Sequence, residues 1–106
     1  MSTATVTTVT SGGFEAFINS PTPTLVDFWA PWCAPCRALG PVIESIAADL
    51  DGKARIGKVN IDDEKELAAK YGIASIPTVL VFKDGQVTDT LIGIRPREEY
   101  QQALID

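Results

Sequence analysis

The chain has two cysteines, and they stand three positions apart in Trp32-Cys33-Ala34-Pro35-Cys36. At the start of a helix that spacing puts both thiols on one face, one turn apart, within reach of a Cys33–Cys36 disulfide. A ring that small opens and closes without unfolding the rest of the protein. The chemistry on offer is thiol–disulfide exchange, which requires one thiol to act as its thiolate. Cys33 sits where the helix begins, beside unpaired backbone N–H groups and the positive end of the helix dipole, and reads as the exposed nucleophile. Cys36, one turn further in, reads as the more buried resolving thiol. Pro35 suits a first helical turn and limits the freedom of the backbone between the two. The chain has no histidine, so a zinc site would need these two thiolates plus carboxylates or a second chain. No metal is expected.

The elements that must hold this motif are legible on both sides of it. Leu25 to Ala30 is a nearly continuous apolar run, broken by Asp27, which reads as a strand covered on both faces. After the motif, Leu39, Val42, Ile43, Ile46, Ala47 and Leu50 recur at helical spacing. Pro41 lies inside that pattern and predicts a kink, and Asp51-Gly52 ends it. Upstream, Thr5 to Val9 predicts a first, edge strand; Thr10 or Ser11 is placed to cap a short helix carrying Phe14, Phe17 and Ile18. Downstream, Ile56 to Ile61 predicts a strand, and Asp63 with Glu66 has capping-box spacing for a helix running to Tyr71 and stopped by Gly72. Thr78 to Phe82 predicts a short apolar strand, Asp84-Gly85 a hairpin turn, and Gln86 to Ile92 the antiparallel return. Pro96 at a first helical position opens a last helix with Tyr100, Ala103 and Leu104 on its apolar side. The order β-α-β-α-β-α-β-β-α predicts an α/β domain with a mixed sheet, parallel crossovers first and an antiparallel hairpin after.

Composition narrows the function. A chain of 106 residues predicts one domain, with no internal repeat or linker, large enough to bury a core without metals or structural disulfides. Nine basic against fourteen acidic residues give a net charge of −5 with no basic cluster, which argues against nucleic acid as a partner. No apolar run approaches the ~20 residues that cross a bilayer, so no membrane partner is expected. The segment Met1 to Val9 lacks the basic and apolar regions of a secretory signal, so the expected location is the cytoplasm, where a cysteine pair reads as catalytic or metal-binding rather than structural.

Val26-Asp27-Phe28-Trp29-Ala30-Pro31-Trp32-Cys33-Ala34-Pro35-Cys36 resembles the active-site segment of the thioredoxin family, itself the type example of this motif. The resemblance covers essentially the whole chain: Lys58 to Asp62, Tyr71-Gly72-Ile73, Ile76-Pro77-Thr78, Phe82 to Gly85 and Gly93 fall in the family's order and approximate spacing. It implies a single thioredoxin domain over residues 1–106, with a central five-stranded mixed β-sheet flanked by four α-helices. It also implies reduction of disulfides in other proteins and regeneration by an NADPH-dependent flavoprotein, thioredoxin reductase. The chain itself then binds no cofactor (NADPH and FAD act only through the reductase) and works as a monomer. One departure lies between the cysteines, where the family usually has Gly-Pro and this chain has Ala34-Pro35; it predicts tuning of potential and partner fit. Pro31 likewise stands where many relatives carry an acidic residue.

Beside the motif, Asp27 has two readings. One is a strand-end polar residue satisfied by solvent or backbone; the other is a buried carboxyl behind Cys36 that takes up or relays its proton, with a pKa raised by burial. The resemblance favours the second and implies that Lys58 pairs with Asp27 across neighbouring strands. Pro77 by itself is a strand-start proline; the resemblance implies a cis-proline loop facing the cysteines, with the backbone of Ile76 pairing to an extended substrate. It further implies an apolar docking surface of Trp32, Ile76, Pro77, Gly93 and Ile94, with Trp29 packing beneath it. Two other functions stay open at this point. The same surface also suits a redox-independent binding module, and the same couple run in reverse is that of an oxidant or isomerase.

Overall fold

The structure, a computed structural model, describes residues 6–105. Five strands form one sheet: β1 (Thr7–Thr8), β2 (Thr24–Trp29), β3 (Arg55–Asn60), β4 (Thr78–Lys83) and β5 (Gln86–Ile92), in the order β1-β3-β2-β4-β5. Four helices connect them: α1 (Phe14–Ile18), α2 (Ala34–Asp49), α3 (Lys65–Lys70) and α4 (Arg97–Ile105). β1, β3 and β2 run parallel, whereas β4 is antiparallel to both β2 and β5. The element order is the one the sequence pattern predicts.

The period of two in β2 explains both the layering and the apolar run. Leu25 joins a core built from Leu39, Ile43 and Ile46 of α2 and Tyr100 and Leu104 of α4. Val26 and Phe28 point the other way, into a core with Phe14, Phe17 and Ile18 of α1 and Leu67 of α3. A central strand buried on both faces has no polar side to show, hence its near-unbroken hydrophobicity. β5, at the edge, is exposed along most of its length, and its sequence alternates less apolar residues accordingly.

The turns follow their chemistry. Asp84 and Gly85 both have positive φ (53° and 80°), as a two-residue hairpin of the primed kind requires. Pro41 lies within α2 without ending it.

Three local expectations are corrected. Neither Thr10 nor Ser11 caps α1: a turn places Gly13 at the N-cap with no side-chain bond, and Ser11 instead donates from its N–H and hydroxyl to Glu64 Oε1 at 2.9 and 2.7 Å. That engagement accounts for the second correction. Glu64, not Asp63, is the N-cap of α3, and it offers the helix no side-chain bond because its carboxylate is held by Ser11. Third, α4 starts at Arg97, one residue after Pro96, whose carbonyl accepts from Glu99 N–H at 3.0 Å. Of the predicted first strand, Thr5 lies outside the described residues and β1 covers Thr7–Thr8.

Candidate active site

One end of the sheet gathers every loop that matters. The parallel strands β2 and β3 end there, at Trp29 opposite Asn60. Because β4 is antiparallel, it begins there: Thr78 pairs with Phe28 on one side and with Ile92, the last residue of β5, on the other. The turn after β2, the loop before β4 and the loop after β5 are therefore neighbours, although 43 positions separate Cys33 from Ile76 in the chain.

Cys33 is the N-cap residue of α2, with extended backbone (φ −92°, ψ 109°), and Pro35 lies in the first turn. Its Sγ accepts the N–H of Cys36 at 3.2 Å, and the two cysteines are joined as a disulfide, their Cα atoms 5.2 Å apart. An N-cap sulfur that accepts a backbone N–H at the positive end of a 16-residue helix sits where negative charge is favoured. Cys33, expected from the sequence to be exposed, is instead buried at 6% exposure in the disulfide, and Cys36 at 2%, because both pack with Ala30 against Trp29, Ile61 and Ile76.

The loop before β4 faces the disulfide. Cys33 Sγ lies 3.9 Å from the carbonyl oxygen of Ile76, and the Ile76–Pro77 peptide bond is cis. Pro77 in turn accepts the N–H of Gly93 at 2.8 Å, which links this loop to the one after β5; Gly93 has φ +79°, a conformation that favours glycine. Near this line of contacts Trp32 is 66% exposed and Ile94 54% exposed, and Ile76 is half-buried. Trp32 is not loose, for its indole Nε1 donates to Asp62 Oδ2 at 2.9 Å. Ala34 is exposed beside Cys33 at the opening of α2.

Asp27 lies on the α2 and α4 side of β2, two residues from Leu25 and 4% exposed. Its Oδ1 has no hydrogen-bond partner. Burial pushes its carboxyl from 3.8 up to about 7, with the positive charge of Lys58 pulling the other way. The direct Asp27–Lys58 ion pair implied by the resemblance does not form. The two residues stand opposite each other in the β2–β3 register, yet the Lys58 ammonium lies over the Trp29 ring, 5.3 Å from its centroid. There the cation is attracted by the negative face of the indole ring.

Among the described residues no group of three or more His, Cys, Asp or Glu is arranged to hold a metal ion, and no helix is long and apolar enough to cross a membrane.

The thioredoxin family model matches residues 5–106. The chain belongs to the thioredoxin family. It is 45% identical over 100 residues to the thioredoxin of Porphyra purpurea, covering 93% of this chain and 94% of the relative. It is 47% identical over 96 residues to the thioredoxin of Staphylococcus aureus, covering 91% of each. Among solved structures, the thioredoxin of Malassezia sympodialis (Mala s 13) superimposes with a TM-score of 0.88 at 33% identity, covering 96% of this chain and 90% of that one. The fold is thus the thioredoxin fold, and the activity is that of a protein-disulfide oxidoreductase working by dithiol–disulfide exchange. Members of this family need no bound cofactor of their own, and they interact with substrate proteins and with thioredoxin reductase.

Two residues near the thioredoxin site have roles that sequence reasoning missed. Asp62 enters the sequence reading only as the last residue of the segment Lys58 to Asp62, with nothing to mark it as the acceptor for Trp32. Tyr100 read as one more apolar residue of α4, although a tyrosine on a buried helix face signals a hydroxyl that needs a partner.

Proposed function

We propose that the protein is a general cytoplasmic protein-disulfide reductase in which Cys33 is the nucleophile and Cys36 the resolving thiol. The observation that carries this is the position of Cys33: its sulfur caps α2, accepts the Cys36 N–H and faces the Ile76 carbonyl. In the reduced protein the Cys33 thiolate attacks one sulfur of a substrate disulfide, and the other substrate sulfur leaves as a thiolate. The Cys36 thiolate then attacks Cys33 Sγ and expels the second substrate thiolate. Two electrons pass to the substrate, and the Cys33–Cys36 disulfide remains. Asp27, whose buried carboxyl is pushed up to about 7, is divided between acid and carboxylate near neutral pH; as the carboxylate it takes up or relays the proton of Cys36 during that second step, with Lys58 adjusting its charge.

Substrate lies across Trp32, Ile76, Pro77, Gly93 and Ile94, its backbone extended along Ile76. Thioredoxin reductase, carrying NADPH and FAD, restores the dithiol, and the protein acts as a monomer over its single domain.

The test is a Cys36→Ser variant, which should accumulate a stable mixed disulfide between Cys33 and a disulfide-bonded polypeptide, while Cys33→Ser accumulates none. Adducts through Cys36 instead would reverse the assignment. A redox titration of the wild type against dithiol buffers, read by Trp29 and Trp32 fluorescence, checks the direction. A potential below the cytosolic glutathione poise supports the reductase, and one well above it means an oxidant or isomerase.

A further inference from the structure

Tyr100 is fully buried in the core between α2, α4 and the sheet, yet its hydroxyl leaves that core at one point. It donates to the Gly93 carbonyl at 3.2 Å and accepts the Arg95 N–H at 3.0 Å. One oxygen therefore ties the two residues that flank Ile94. Arg95 adds a second brace: its Nε donates to the Ile92 carbonyl at 3.0 Å and its Nη1 pairs with Glu99 at 2.9 Å. On the other side, Gly93 N–H is held by the Pro77 carbonyl. Each of these bonds grips a neighbour of Ile94, and Ile94 itself, 54% exposed, projects from the braced turn.

We infer that Tyr100 is a positioning residue for substrate: its hydroxyl fixes the Gly93–Arg95 turn so that Ile94 is held out in the same apolar surface as Ile76 and Trp32. This rests on the docking surface proposed above and adds the device that shapes one edge of it. The logic is that of preorganisation. A turn free to move must be ordered when a polypeptide binds, and that cost weakens binding without touching the sulfur chemistry. A small disulfide reaches Cys33 without covering Ile94 and does not feel the difference.

The experiment compares Tyr100→Phe, Ile94→Ser and Arg97→Gln, each reduced and offered either insulin or dithiobis(nitrobenzoate). Tyr100→Phe keeps the ring that fills the core and removes only the shared oxygen. The expected result is a KM for insulin raised about fivefold, the scale of one net hydrogen bond, with kcat and the small-disulfide rate unchanged. Arg97, which joins α4 to Ser45 and Asp49 of α2, is the control for loosening of the helix alone, and its variant should melt earlier with an unchanged KM. Equal losses of Tyr100→Phe on both substrates would overturn the inference, since that is what simple destabilisation does. A raised KM in Ile94→Ser with none in Tyr100→Phe would overturn the positioning role and leave the docking surface standing. No change in either would remove the docking surface, and the inference with it.

Discussion

Asp27 and Lys58 stand opposite each other on adjacent parallel strands, but the lysine extends over the Trp29 ring and leaves the carboxyl without a salt bridge. The arrangement holds a positive charge near a buried acid without neutralising it. Burial wins over the lysine's field, and the carboxyl titrates at about 7 rather than at 3.8. In the role proposed for Asp27, a proton acceptor for Cys36 is best matched to neutral pH when it titrates there.

Lys58→Met is accordingly expected to push the Asp27 carboxyl further up, because it removes the cation that favours the charged form. Lys58→Arg should restore it. The midpoint of the pH dependence of Cys36 attack on a mixed disulfide, followed by release of reduced substrate, reads this directly. An unchanged midpoint in Lys58→Met would mean that the lysine does not act on Asp27.

The same acid sets how stability depends on pH. A carboxyl whose native pKa lies above its unfolded value binds its proton more tightly in the folded state. Stability is therefore lost as pH rises from 3.8 through about 7, and the loss is complete above that window. Asp27→Asn should remove the dependence. Its advantage over the wild type in denaturant unfolding should grow across the window to as much as roughly 4 kcal/mol at alkaline pH. Parallel stability curves for the two proteins would contradict the buried assignment.

Gly57 of β3 tests the other face of the sheet. A Cβ built there would come within 2.7 Å of the Phe17 ring and 2.8 Å of a Val9 methyl, closer than packed carbons stand. Gly57→Ala should destabilise the protein by about 1–3 kcal/mol, the usual range for overpacking. Phe17 is buried in the core on that face, with the Arg55 guanidinium 4.6 Å over its ring. Any relief comes from tilting that ring, and Phe17→Leu in the same background should recover part of the loss, as chemical denaturation would show.

How far the sequence reached depended on whether a signal was local. The Cys33–Cys36 pair, the helix behind it, the Asp84-Gly85 hairpin and the apolar β2 are each written in consecutive residues, and all are found where the pattern put them. The caps of α1 and α3 were not legible, because Ser11 bonds Glu64 across 53 positions. A capping rule that sees four residues cannot see that competition. Lys58 fell to the same limit: strand spacing sets its register against Asp27, whereas its choice of the Trp29 ring depends on side-chain direction. Tyr100 was placed on the correct face of α4, but its hydrogen bonds run to a loop whose path no periodicity specifies.

Asp62 supplies the last prediction. Its carboxylate accepts the indole N–H of Trp32, an aromatic side chain two-thirds exposed at the edge of the disulfide. An exposed hydrogen bond of this kind is worth about 1 kcal/mol or less, because water replaces either partner readily. Asp62→Ala should therefore leave global stability within about 0.5 kcal/mol of the wild type. Its effect belongs instead to Trp32, which is freed to rotate and must be reordered when a polypeptide docks. Time-resolved fluorescence anisotropy of Trp32, in a Trp29→Phe background, should reveal faster local motion in Asp62→Ala, accompanied by a modest rise in KM for protein disulfides. If Trp32 stays as immobile as before, contacts other than Asp62 hold it, and the hydrogen bond has no part in shaping the site.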